Sequence, residues 1–225
     1  EIKTTVNILG EIKDAVDGAS DSTIGIAYYI ATGATTTMNV TTTANDRFAA
    51  LVIRISAASW HGTTPPEVST GTASPSNSNS PDPDTVTASW GSADNLFIAT
   101  YVVDTPDTIL PTTAWPTNYS GNHVDSPAIL SAAGGGIATR ELAASSDNPG
   151  TFTTSGSESW WAGTLVIRPA VTSVSPTVET NFASNINATS ATLNGVKTGG
   201  DNAVQHGFAY GRDPTYATVI ATPTL

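Results

Sequence analysis

Cysteine is absent from the 225-residue chain, which excludes disulfides, thiolate chemistry and cysteine-based zinc sites. Charge is scarce too: Asp, Glu, Lys and Arg make up 12% of residues, about half the usual share. Cations are rarest, with 8 Lys and Arg against 19 Asp and Glu and a net charge of −11. A nucleic-acid binder needs a basic footprint to release counterions, and anionic lipid attracts basic segments, so neither partner fits this balance. The acidic excess suits solubility and repulsion between many copies. No apolar run approaches the ~18–20 residues of a membrane span, and segments with helical periodicity are few. Glu1-Ile2-Lys3 does not open a signal peptide, so the expectation is a removed leader, further sequence upstream, or export inside a virion.

Thr, Ser, Ala and Gly fill the space that charge leaves. Thr favours strands and Ser and Gly favour turns, so composition alone points to an all-β fold. Thr23 to Ile30 alternates, with Ile24, Ile26, Tyr28 and Ile30 on one face. Thr35 to Thr43 reads as a half-buried strand around Met38 and Val40. Phe48 to Ser56 and Asn95 to Val103 are near-continuous apolar runs, as expected of central strands covered on both faces. Gly136 to Ala144 and Trp160 to Arg168 supply two more. Leu51-Val52-Ile53-Arg54 recurs as Leu165-Val166-Ile167-Arg168, which suggests two related core strands or a coincidence of composition. Ile2, Leu9, Ile12 and Val16 approach a heptad stripe, yet Gly10 and the β-branched residues favour strands at 2–9 and 11–16.

The connections are long. Thr70 to Asp84 is rich in Ser, Asn, Pro and Gly, and Pro81-Asp82-Pro83 cannot extend a central strand. Asp82 and Asp84 read as solvated loop residues, Gly134 to Gly136 as a turn or bulge, and Thr105 to Pro127 as mostly loop. The pattern predicts an antiparallel β-sandwich or jelly-roll-like domain over 1–170, a stiff linker at 171–176, and a second module from 177 to 225.

Two resemblances accompany this pattern. Thr189-Ser190-Ala191-Thr192-Leu193-Asn194-Gly195 and Gly207-Phe208-Ala209-Tyr210-Gly211 resemble the opening strands of the fibronectin-III-like (Ig-like) modules of bacterial surface and phage virion proteins. Such modules need about 90–100 residues, so 177–225 is similar to the first half of one. Ala27 to Gly33, Ser89 to Leu96 and Asp147 to Phe152 resemble a domain of unassigned activity found in phage and bacterial surface proteins. Together they imply an extracellular, displayed structural protein whose partners are copies of itself or other virion or surface proteins. A half-module also leaves a strand to be completed, so Gln205, His206, Gly207, Phe208, Ala209 and Tyr210 form a candidate assembly edge.

Motifs for chemistry are missing: no Gly-x-Ser-x-Gly, His-Glu-x-x-His, phosphate loop or Gly-x-Gly-x-x-Gly occurs. His61, His123 and His206 are far apart in sequence and read as isolated structural or surface residues. Asp14, Asp17 and Asp21 around Gly18 offer a candidate calcium loop, for which an acidic hairpin turn is the plainer reading; no other cofactor is expected. Trp60 and Trp115 adjoin loops, where an indole can stack on a sugar ring, and an adhesin binding surface glycans is therefore the alternative function. Adjacent strand residues face opposite ways, so one of Trp160 and Trp161 must meet a second layer, a covering loop, a partner or solvent. A polysaccharide hydrolase would need two facing carboxylates in a cleft, and only the general supply of Asp and Glu speaks for it. Asn39, Asn118 and Asn187 head N-glycosylation triplets.

Overall fold

A computed structural model describes residues 2–4, 10–16, 23–31, 40–42, 50–105, 111–124, 132–171, 176–199, 208–209 and 219–220. The described residues contain strands and no helix, and every ladder is antiparallel. The chain divides into two compact units, Glu1–Ala170 and Val171–Leu225.

The first unit is organised by a six-stranded sheet. Its order is Ser120–Val124, Ala132–Ala144, Ala93–Thr105, Trp160–Ile167 and then Glu67–Val68, with Thr72–Ala73 also pairing with Trp160–Ile167. Two of its three inner strands are the apolar runs around Phe97 and Val166. Burial on both faces selects β-branched and aromatic residues at successive positions, and all eight residues of Trp160–Ile167 are buried.

Alternation sorts these strands into two faces. Register sets Val166 opposite Phe97, Ala162 opposite Tyr101 and Trp160 opposite Val103, and these residues share one core with Val86, Tyr119 and Phe152. Short ladders cover that face: Val86–Thr87 with Ser146–Asp147, and Thr112–Ala114 with Thr153–Thr154. Each fully buried Phe or Val there contributes about 1.5–3 kcal/mol relative to exposure. Ile98, Leu165 and Ile167 head the opposite face, where the partly buried Ile26, Ile55 and Trp60 pack against them. A sheet with separate apolar layers on its two faces is β-sandwich packing.

Several expectations change in the structure. Gly134 to Gly136 form no turn; they lie inside the Ala132–Ala144 strand. A Cβ on Gly135 would stand 2.6 Å from the Tyr101 carbonyl oxygen, and one on Gly136 would stand 2.6 Å from the Tyr101 ring. Glycine is needed there so that the fully buried Tyr101 can lie against its neighbouring strand and reach Thr112 Oγ1 at 2.7 Å. Thr105 to Pro127 is less of a loop than expected, since it holds the strands Thr112–Ala114 and Ser120–Val124.

The described part of Phe48 to Ser56 is not a central strand. Residues 51–56 form no ladder, and Leu51, Val52 and Ile53 are exposed. The second Leu-Val-Ile, at 165–167, occupies the central place between Ala93–Thr105 and Glu67–Val68.

At the N-terminus the strand reading holds for Ile2–Thr4, paired with Val40–Thr42, and for Gly10–Val16, paired with Thr23–Tyr28. Ile24 is buried there between the exposed Thr23 and Gly25, as alternation requires. The second unit contains a hairpin of Thr177–Ser184 with Thr192–Thr198 and a short ladder of Phe208–Ala209 with Val219–Ile220.

Candidate functional site

A shallow, open groove of about 590 Å³ lies in the first unit between Pro66–Thr70 and Thr85–Ser89. Its walls are hydroxyls, small apolar side chains and the Glu67 carboxylate, without an aromatic ring. One wall is the outer edge of the large sheet. Ser69 N–H donates to the Thr164 carbonyl at 2.9 Å, and Glu67 stands opposite Val166. Backbone groups alternate along an antiparallel strand, so the N–H and C=O of Val68 point away from the sheet, toward the open side.

Two carboxylates fasten the walls together. Glu67 accepts the Ser89 N–H at 2.9 Å and the Ser89 hydroxyl. Asp84 accepts the Ser69 hydroxyl and the Gly71 N–H, the latter at 2.9 Å. Asp84 is therefore no free loop residue: a half-buried carboxylate holds two donors of the 69–71 loop, whereas Asp82 is exposed as expected. The Asp84 carbonyl also accepts from Thr164 Oγ1 at 2.7 Å, which ties the far wall to the sheet. With both carboxylates committed to hydrogen bonds, the groove has fixed walls, and Glu67 gives it one acidic side chain.

A second polar cluster lies behind the far wall of the groove, where Asp147 stands opposite Val86. Asp147 accepts from the Tyr119 hydroxyl at 2.7 Å and pairs with Arg140 at 3.2 Å. Burial, and then the hydrogen bond and negative charge of Asp147, push the Tyr119 hydroxyl well above the ordinary tyrosine range. Trp90 Nε1 donates to Asn95 Oδ1 at 2.8 Å, and the fully buried Asn95 returns a bond to the Ala144 carbonyl at 2.7 Å. Trp90, Asn95, Asp147 and Phe152, all from the segments that carry the phage-domain resemblance, are thus packing and clamping residues.

The tryptophans divide between the layers. Trp160 enters the main core. Trp161 turns to the other face, where a loop covers it: a side chain at Gly71 would run into its indole, and Lys13 Nζ sits 6.0 Å from the ring centroid. Lys13 also donates to the Thr70 carbonyl at 2.7 Å, pinning that loop. Trp115 rests on Gly121 and meets Phe152 edge-on at 5.9 Å. Trp60 packs on the Ile98 face, and its main chain bridges Pro169. Trp60 and Trp115 are both half-buried, in different packing environments, and neither lines the groove. The indole N–H groups of Trp60 and Trp160 are buried without a hydrogen-bond partner among the described residues.

Of the candidate calcium ligands, Asp14 lies on the Gly10–Val16 strand, while Asp17 and Asp21 fall outside the described residues. No group of three or more His, Cys, Asp and Glu gathers as a metal site among the described residues. Of the candidate assembly edge, Phe208 and Ala209 pair with Ile220 and Val219. Gln205, His206, Gly207 and Tyr210 lie outside the described residues. His61 is held by Thr64 Oγ1 at 2.8 Å from its Nδ1. Asn187 Oδ1 caps a turn by accepting the Ser190 N–H at 2.8 Å. Sequence reasoning missed the groove because Ser69, Asp84 and Ser89 look like generic loop residues. Only the Ser-Thr-Pro density of the region marked it.

Comparison with known proteins finds no family model that matches the chain, and no similar curated protein or solved structure.

Proposed function

We propose that the chain is a non-enzymatic structural protein displayed on the outside of a phage virion or bacterial cell, where copies associate through exposed apolar strands. In this reading the first unit is a rigid β scaffold, and the second, which follows it in the chain, is part of a fibronectin-III-like module. The observation that carries the proposal is the exposure of large apolar side chains on both units: Phe182 is 98% exposed, Val178 71% and Val52 69%. Monomeric soluble proteins rarely leave contiguous apolar patches open, and such patches mark interaction surfaces. Val178 lies on the regular part of its hairpin, Phe182 lies where the register shifts between Asn181 and Ser184, and Leu193 is on the paired strand beside that shift. The polar groups of the first unit support the same reading, because Glu67, Asp84, Asp147 and Asn95 are each held by hydrogen bonds that fix loops to the sheet.

Sedimentation of the full chain across a wide concentration range tests the proposal. The expected result is reversible association that weakens at least tenfold in the Val178→Ser/Phe182→Ser variant. A monomer at every concentration, for the unaltered chain, overturns it.

A further inference from the structure

We infer that the Pro66–Thr70/Thr85–Ser89 groove receives the Leu51-Val52-Ile53-Arg54 strand of a second copy of this chain. The inference rests on the assembly reading above and assigns the first unit's part in it.

Three observations meet at this groove. The first is an unused strand edge. Ser69 N–H donates to the Thr164 carbonyl, Thr164 N–H returns to the Ser69 hydroxyl, and Glu67 stands opposite Val166, so by alternation Val68 turns its N–H and C=O to the open side, above a cavity of about 590 Å³. An open edge of this kind is a template for another strand.

The second is an unused strand. Residues 51–56 form no ladder, although Leu51, Val52 and Ile53 have the β-branched, apolar character of a core strand. Exposure alternates along it, with Val52 at 69% between Leu51 and Ile53 at 39% each. Ile55 anchors the end of the segment on the Ile98 face.

The third is a sequence identity. The strand that pairs with Glu67–Val68 from inside the sheet is Leu165-Val166-Ile167, with Leu165 opposite Val68 and Val166 opposite Glu67. Leu51-Val52-Ile53-Arg54 repeats those residues in order. A strand laid antiparallel on the outer edge, with Leu51 opposite Val68 and Val52 opposite Glu67, reproduces the same pairs on the same faces. It makes Val68 and Leu51 the hydrogen-bonded pair. It also sets Arg54 diagonally from Glu67 on one face, within reach for a long side chain. Arg54 is exposed, and it is one of only 8 cations in the chain. Its charge complements the Glu67 carboxylate that lines the groove.

Donor strand and groove are different surfaces of one protomer, so the contact is heterologous and propagates head to tail unless the rotation closes a ring. Pro65 and Pro66 keep the accepting edge short, because neither ring nitrogen can donate. Each contact is therefore weak alone and gains strength from repetition along an array.

The lack of native cysteine makes the test clean. Full-length Val52→Cys and Thr87→Cys variants are mixed and treated with a short bismaleimide. The expected result is a mixed dimer at least tenfold above the yield of either variant alone. Arg54→Glu should reduce it tenfold, and Arg54→Lys, which keeps the charge, should retain it. Dominant Val52→Cys homodimers overturn the inference in favour of a symmetric edge. Intramolecular linkage in a dilute Val52→Cys/Thr87→Cys double variant overturns it in favour of the chain's own strand. Multimers by sedimentation without the mixed cross-link overturn this inference alone, and the absence of both overturns the assembly reading as well.

Discussion

Trp161 is held in place by glycines on two sides, and this arrangement predicts a coupling energy. Gly71 has φ of +82°, and a Cβ there would enter the Trp161 indole. Gly71→Ala therefore incurs two costs. A non-glycine residue in the left-handed region costs about 1–2 kcal/mol, and forcing a methyl into a packed site costs about 1–3 kcal/mol more. The sum, about 2–5 kcal/mol, is a large part of the roughly 5–15 kcal/mol that stabilises a typical domain. Gly163→Ala meets the same indole from the sheet side without a positive φ, so it incurs only the packing cost of about 1–3 kcal/mol. The two terms separate in a Trp161→Leu background. There the Gly163 substitution should become nearly neutral, while Gly71→Ala keeps its backbone cost of about 1–2 kcal/mol. Urea unfolding of the four glycine variants and their two parents gives the cycle, with midpoints compared at constant m-value. Equal losses with and without the Trp161→Leu substitution would refute the claim that the indole is seated between these glycines.

Two further outcomes follow from the buried polar clusters. Tyr119→Phe should cost about 1.5–3 kcal/mol at neutral pH, because it removes a hydrogen bond to the charged Asp147. The folded-state pKa of Tyr119 is raised above its unfolded value of 10.0, so its contribution is complete below about pH 10 and falls at higher pH, where the unfolded chain releases the proton first. Thermal unfolding from pH 8 to 11 should show a shallower alkaline decline in the Phe variant, and an unchanged slope contradicts the assignment. Asp84→Ala should lower stability by about 2–4 kcal/mol by stranding the Ser69 and Gly71 donors. Hydrogen exchange at the Gly71 amide should rise with it, and retained protection there would show that the loop is held by something else.

The strands of the large sheet were legible in sequence wherever burial on both faces dictated composition, as in Ala93–Thr105 and Trp160–Ile167. Alternation fixed the face of Ile24 and required Trp160 and Trp161 to part. Composition and periodicity also established the all-β class, because Thr-rich alternation without helical period leaves no other way to bury the apolar residues.

Which of two identical tetrapeptides becomes the core strand was not legible. Leu51 to Arg54 and Leu165 to Arg168 have the same local preferences, and a ladder is chosen by the partner available at a distance in sequence. The glycines at 134–136 were misleading for the same reason, since their need is set by the ring of Tyr101 on the next strand. The groove lay further still from sequence: Glu67, Asp84 and Ser89 acquire roles only when two loops are brought side by side. Sequence determined the kind of structure because side-chain chemistry and period act locally. The pairings, the fastened loops and the edge left open are non-local choices, and only the folded chain makes them.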